Sequence, residues 1–150
     1  MTEIFVMNAG HEYWDATAAF AESCSWRAGR YLAELMHGGG FAADERVLAA
    51  FEDGEPAGFC TFSRKDELPE KYDFTPFIGF VFVDEKHRGK RLSERMINAA
   101  SEYARTLGYE RIYIMSGEIG LYEKYGFEKL GDYETIYGTV DQLFVRSTEI

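Results

Sequence analysis

Apolar and polar positions along the chain follow two different periods, and the changes of period mark out the elements. The opening run Ile4 to Met7 predicts a short strand. From Glu12 to Met36 the spacing turns helical in two pieces, interrupted near Ser23 to Ser25 and ended by Gly38, Gly39 and Gly40. Two strand-like runs follow, Arg46 to Glu52 and Ala57 to Ser63, joined through Asp53 and Gly54, a dipeptide suited to a tight hairpin turn. After a charged loop, Pro76 to Val83 is apolar on both faces, as a central strand is. The clearest helix carries Leu92, Met96, Ala99, Ala100, Tyr103 and Leu107 on one face, and Gly108 closes it. A strand at Arg111 to Met115, a short helix within Gly120 to Gly126, and two strands within Phe127 to Gly138 and Asp141 to Ser147 complete the chain.

This succession predicts a mixed α/β fold, a sheet flanked by helices. With 150 residues and no repeat or Pro/Ser-rich linker, one domain over residues 1–150 is expected. A composition 46% hydrophobic and 28% charged is that of a globular chain able to fold without disulfides or metals. Cys24 and Cys60 lie far apart, and His11, His37 and His87 stand at no zinc-binding interval from them. Reduced, inert thiols and no metal are therefore expected. No basic leader with a long apolar stretch opens the chain, and the longest apolar run, Phe77 to Val83, falls short of the ~20 residues of a membrane span. The expectation is a cytoplasmic protein without a membrane partner. A net charge of −10 argues against nucleic acid and favours cationic or neutral partners.

One segment reverses that charge. Lys86, Arg88, Lys90, Arg91 and Arg95 face a single acid, Glu94, between positions 86 and 95, giving +4 in an otherwise acidic chain. The segment links the central strand to the long helix. A helix start presents unpaired N–H groups and the positive end of the helix dipole, and Gly89 removes the Cβ that would keep an anion away. A phosphate site follows as the chemical reading, against the plain alternative of a solvated helix start. A Walker A loop is excluded, because Asp84 and Arg91 stand where glycine and Ser/Thr are required. No GxGxxG occurs, and the His37 to Gly40 tract lacks the GxSxG of the esterases that carry HGGG.

The segment FVFVDEKHRGKRLSERMI (Phe80 to Ile97), followed by a strand and then GLYEKYGFEKL (Gly120 to Leu130), resembles the GNAT superfamily of acetyl-CoA-dependent N-acetyltransferases. The family's phosphate motif [QR]-x-x-G-x-[GA] falls on Arg88, Gly89, Lys90, Arg91, Leu92 and Ser93, with Arg91 where glycine is usual and Ser93 where Gly or Ala is usual. The family's LYxKxGF helix falls on Leu121 to Phe127. The similarity spans roughly residues 45 to 146, with the first 40 matching in outline only.

The resemblance implies a mostly antiparallel mixed sheet splayed between strands 4 and 5, and transfer of an acetyl group from acetyl-CoA to a primary amine in a ternary complex. It assigns the pantetheine arm to the backbone of Val81, Phe82 and Val83, the pyrophosphate to Arg88 through Ser93, and protonation of the departing thiolate to Tyr122. An alkylamine is neutral in roughly one molecule in 2,500 at pH 7, so the nitrogen must lose a proton before attack. The family's glutamate for this task falls near Thr75, which cannot serve; Glu118 is the first candidate, with Asp73 and Asp84 behind it. An asparagine that contacts the cofactor in relatives falls at Met115. Tyr13, Trp14 and Trp26 with Asp66, Glu67, Glu70 and Asp73 would suit a cationic small-molecule or protein amine. Family members commonly dimerise, which leaves a homodimer open. The departures at Arg91, Thr75 and Met115 also leave open a non-catalytic CoA-binding or regulatory module.

Overall fold

The computed structural model describes residues 1–149. The strands are β1 (Thr2–Met7), β2 (Arg46–Glu52), β3 (Glu55–Ser63), β4 (Phe77–Val83), β5 (Arg111–Ser116), β6 (Glu128–Glu134) and β7 (Val140–Ser147). The helices are α1 (Trp14–Ser23), α2 (Ala28–His37), α3 (Leu92–Thr106) and α4 (Leu121–Lys124), with a 3₁₀ turn at Glu85–His87. The order of elements agrees with the hydrophobic pattern. Asp53 and Gly54 both take positive φ, 49° and 86°, as a type I′ hairpin turn requires.

All seven strands join one sheet in the order β1-β2-β3-β4-β5-β7-β6. Every neighbouring pair is antiparallel except β4 and β5. Alternation along the strands divides the side chains between two faces. Leu48, Cys60, Phe62, Ile78, Ile112, Ile114 and Phe144 pack with Leu92, Met96, Ile97 and Ala100 of α3. Val47, Ala49, Phe51, Phe59 and Phe82 pack on the opposite face with Trp14 and Ala18 of α1 and Leu32 and Met36 of α2. A third cluster, Leu68, Phe77, Tyr113, Met115 and Leu143, lies beneath the 64–76 loop.

The parallel pair is brief. Only Phe77 with Tyr113 and Ile78 with Ile114 are in register, while β4 runs on to Val83 and β5 to Ser116. The cause lies on β4's other edge. Between the pairs Phe59–Phe82 and Thr61–Gly79, β4 spends two residues, Phe80 and Val81, against the single Cys60. Phe80 takes a φ of 49°, so the strand bulges and bends away from β5. The splay that the resemblance implies is present.

Gly58 of β3 seats the bent strand: a Cβ there would lie 2.6 Å from the Phe82 carbonyl oxygen and 3.2 Å from the Met96 methyl. Gly58→Ala is expected to cost about 1–3 kcal/mol, the usual penalty of overpacking, read as a fall in the urea unfolding midpoint. An unchanged midpoint would mean that β4 can move aside freely.

Candidate active site

A cleft of about 1500 Å³ opens where β4 and β5 part. It is lined by Ile78 to Val83 of β4, by Ile114 to Ser116 of β5 and the Gly117–Glu118 segment, and by Leu121 and Tyr122 of α4. Beyond Ile78, no β5 partner occupies β4's inner edge, so polar backbone groups face the cleft. Val81, Phe82 and Val83 all line it, as their assignment to the pantetheine arm requires.

At one end lies the 88–93 loop. Gly89 and Arg91 both take positive φ, 87° and 60°, and α3 starts at Leu92. Left-handed residues on either side of Lys90, just before a helix start, turn the backbone N–H groups into a concavity that suits an anion. The left-handed φ at Arg91 is one that glycine adopts without strain, which explains the family's preference there. The cations of this loop are not all aimed inward. Arg91 Nε bonds Glu94 at 2.7 Å, and Lys90 Nζ sits 3.7 Å from Glu52. Arg88 lines the cleft and donates from Nε to the Val83 carbonyl at 3.1 Å, tying the loop to the end of β4. Ser93 also lines it, its hydroxyl 2.8 Å from the Tyr125 hydroxyl, which couples the first turn of α3 to α4.

Tyr122 projects from α4 onto the same face as α3, 5% exposed, against Tyr125, Phe127 and Phe144. Burial pushes its phenol up to about 12, with Cys60 and Glu118 adding to the rise and Ser116 opposing it by a hydrogen bond. The phenol is therefore protonated throughout the neutral range. Gly126, at φ 89°, ends α4 and lets Phe127 turn into β6.

The opposite wall is acidic. Glu34, Asp66, Glu67, Glu118 and Asp141 line the cleft, and among the described lining residues Arg88 is the one cation. Asp66 Oδ2 lies 3.4 Å from where a Cβ on Gly79 would stand, and Asp141 Oδ1 lies 3.6 Å from the equivalent point on Gly117. Both carboxylates thus lie at van der Waals distance from the diverging segments, beside the splay. Desolvation pushes Asp66 up to about 6, and desolvation together with a hydrogen bond to Asp141 pushes Glu67 up to about 8. The Glu67 carbonyl accepts from Ile136 N–H at 2.7 Å, which docks the 64–76 loop on the β6–β7 turn.

The acceptor-side residues expected from sequence divide. Trp26 lines the cleft, stacked on Phe59 and Phe82 with centroids 6.3 and 6.0 Å apart. Trp14 is core, 6% exposed, with its indole N–H on the Met36 carbonyl. Tyr13 packs on Phe5 and Phe51, outside the cleft lining. Asp66 and Glu67 line the cleft; Glu70, Asp73 and Asp84 do not. Glu118 lines it and is exposed. Met115 lies in the wall, and Thr75 is occupied by a hydrogen bond to the Arg64 carbonyl at 2.7 Å. Asp141 was not foreseen: in sequence it opens an ordinary strand, and only β7's place beside β5 brings it to the splay. Cys60 is fully buried and its thiol pushed up to about 12, which leaves it inert as expected.

A splayed mixed sheet with a turned loop at the start of the crossover helix is the architecture the resemblance implies, and the comparisons agree on the family. The model of the acetyltransferase (GNAT) family matches residues 10–127, and the chain belongs to that family. The fold is similar to an aminoglycoside 6'-N-acetyltransferase solved with coenzyme A (TM-score 0.72, 14% identity, 99% of this chain and 98% of that one). It is similar also to the aminoglycoside 6'-N-acetyltransferase from Enterococcus faecium (TM-score 0.74, 15% identity, 99% and 98%). An N-acetyltransferase from Staphylococcus aureus Mu50 superposes with a TM-score of 0.67 at 16% identity, over 99% of each chain. A sequence search of curated proteins finds no match.

Because folding raises Asp66 and Glu67 above their ordinary values of 3.8 and 4.5, the folded chain holds more protons than the unfolded one between those values and about 8. Stability from these groups is then fully present at the acid end of that window and lost as pH rises through it. The thermal midpoint is expected to be higher at pH 6 than at pH 8.5, with a smaller difference in Glu67→Gln. Equal pH dependence in the two proteins would refute the assignment.

Proposed function

We propose that the chain is a single-domain N-acetyltransferase that moves the acetyl group of acetyl-CoA to a primary amine by direct attack in a ternary complex. The observation that carries this reading is the shared cleft: Arg88 and Ser93 at the two ends of the 88–93 loop, the unpaired edge of β4 and Tyr122 all border one space, while Gly89 to Leu92 lie outside its lining. Acetyl-CoA would lay its pyrophosphate against the turned amides of Gly89 to Ser93 and its pantetheine amides along Val81 to Val83. Both kinds of contact are made by backbone, so side-chain departures such as Arg91 leave them intact. Amides at the splay would also donate to the thioester oxygen as charge develops there. No metal enters this scheme.

Tyr122 is the proton donor to the CoA thiolate. A phenol near 12 would be a poor acid toward a thiolate in water, where thiols titrate near ~8.5. The departing thiolate, however, would form in the cleft beside Tyr122, where the same desolvation that holds the phenol's proton disfavours a charged sulfur. Burial raises donor and acceptor together, so the transfer stays close to balanced.

The acceptor is a cationic small molecule or peptide amine. Five carboxylates along one wall, with Trp26, Tyr31, Phe80 and Tyr137 beside them, favour ammonium groups through charge and cation–π attraction. The structural neighbours named for aminoglycosides support an oligoamine as the first acceptor to try. Exposed Glu118 stands at the entrance and draws such a cation inward. The location proposed is the cytoplasm.

Thiol release from acetyl-CoA with a panel of diamines and aminoglycosides tests the reading. Turnover is expected for the wild type, with kcat lowered about 10²-fold or more in Tyr122→Phe and CoA affinity unchanged. Tight CoA binding without turnover on any amine would instead indicate a binding module. Arg88→Glu should weaken CoA binding by at least about tenfold in calorimetry while leaving the thermal midpoint near that of the wild type. Unchanged affinity would refute the loop's role.

A further inference from the structure

We propose that Glu67, paired with Asp141 across the mouth of the splay, is the group that takes the proton from the attacking ammonium. The inference deepens the transferase reading and rests on it. Two elements far apart in sequence converge to make the pair. The 64–76 loop brings Glu67, its carbonyl held by the Ile136 N–H, and β7 brings Asp141, beside Gly117 just after β5. The pair lies on the sheet face that carries Trp26, Phe80 and Phe82, whereas Tyr122 lies on the α3 face. The cleft passes through the sheet between them. An amine entering from the aromatic side would therefore meet Glu67 before the thioester, and the thiolate would leave toward Tyr122.

Asp66 on its own loop and Asp141 on β7 face Glu67, and Glu34 on α2 and Glu118 after β5 line the same cleft. The Tyr137 hydroxyl is on the β6–β7 turn, and Arg88 stands at the cofactor end. Burial above all, with the hydrogen bond to Asp141 and the charges of Asp66 and Asp141, is what fits Glu67 for the task. An ordinary carboxylate near 4.5 would hold the proton of an alkylammonium at roughly an 800,000-fold disadvantage. At about 8, Glu67 does so at a disadvantage of only roughly 250-fold, while still being ionised in part at neutral pH. Glu118 is exposed and lacks such a setting.

The bookkeeping of the step is closed. An N–H bond of the ammonium breaks and its proton moves to a Glu67 carboxylate oxygen. The freed nitrogen lone pair forms the C–N bond at the thioester carbonyl. As the tetrahedral adduct collapses, the C–S bond breaks and the sulfur takes the Tyr122 proton. The second nitrogen proton leaves and restores that of Tyr122 through solvent, and Glu67 returns its own proton to water. The sum is ammonium plus acetyl-CoA giving amide, CoA thiol and one proton.

The test compares two acceptors, 1,4-diaminobutane, charged at pH 7, and 2,2,2-trifluoroethylamine, neutral at that pH. Glu67→Gln should lower kcat with the diamine about 10²-fold yet leave turnover of the fluorinated amine within about threefold, with CoA affinity unchanged and Glu67→Asp recovering part of the loss. Glu118→Gln should raise KM without the same loss of kcat. Equal losses of Glu67→Gln on both amines would overturn the proposal and leave the transferase standing. A wild type that turns over neither amine would overturn the transferase reading and this step with it. A carboxyl ¹³C titration reads the pair without any acceptor. Glu67 is expected to titrate well above the usual carboxylate range and to fall in Asp141→Asn; an ordinary Glu67 titration would also overturn the proposal.

Discussion

The structure turns on an unmade set of hydrogen bonds. β4 and β5 begin as a parallel pair and separate after Ile78 and Ile114. A sheet interior normally leaves no backbone N–H or C=O without a partner, since each buried orphan costs on the order of 1–3 kcal/mol. Here the bulge at Phe80 and Val81 bends β4 from its β3 side and keeps the strands apart, so the edge beyond is held open to solvent. Arg88 caps one of its carbonyls, at Val83. The splay thus leaves an edge that a ligand rich in amides can cover as a missing strand would.

Around that gap the charges are sorted. The cationic linker makes one end receptive to phosphate through backbone amides, while Lys90 and Arg91 are already engaged by Glu52 and Glu94. The far wall gathers carboxylates on loops and strand ends that only the tertiary fold brings together. A net charge of −10 is thus unevenly spent, with a positive island at the helix start and a negative wall at the opposite face. The two aromatic sets follow the same division: Tyr122, Tyr125 and Phe127 brace the α4 side, and Trp26, Phe59 and Phe82 brace the α2 side.

Local signals in the sequence were enough for the elements and for the turned loop that opens α3. The Asp53–Gly54 turn, the helical face from Leu92, Gly108, and the paired motifs at 88–93 and 121–127 each act over a few residues, and a linear reading captures them. The acceptor end was legible only in part, because it depends on long-range placement. Trp14 and Trp26 look alike in sequence; one caps the core on the Met36 carbonyl and the other stacks at the cleft, a difference set by how α1 and α2 dock. Asp141 carries no local mark, and its place beside Gly117, like that of Asp66 beside Gly79, is set only by the tertiary fold. Lys90 counted as a phosphate ligand on composition, yet its reach to Glu52 at the end of β2 is a tertiary contact that no motif records.

The most direct measurement of the central claim is amide hydrogen exchange with and without saturating acetyl-CoA. Exchange should slow about tenfold or more in the peptides covering 80–83 and 88–93, where the open strand edge and the turned loop would be covered, with little change in β1, β2 and β6. Protection confined to other segments, or none at these two while the cofactor is bound, would contradict the account.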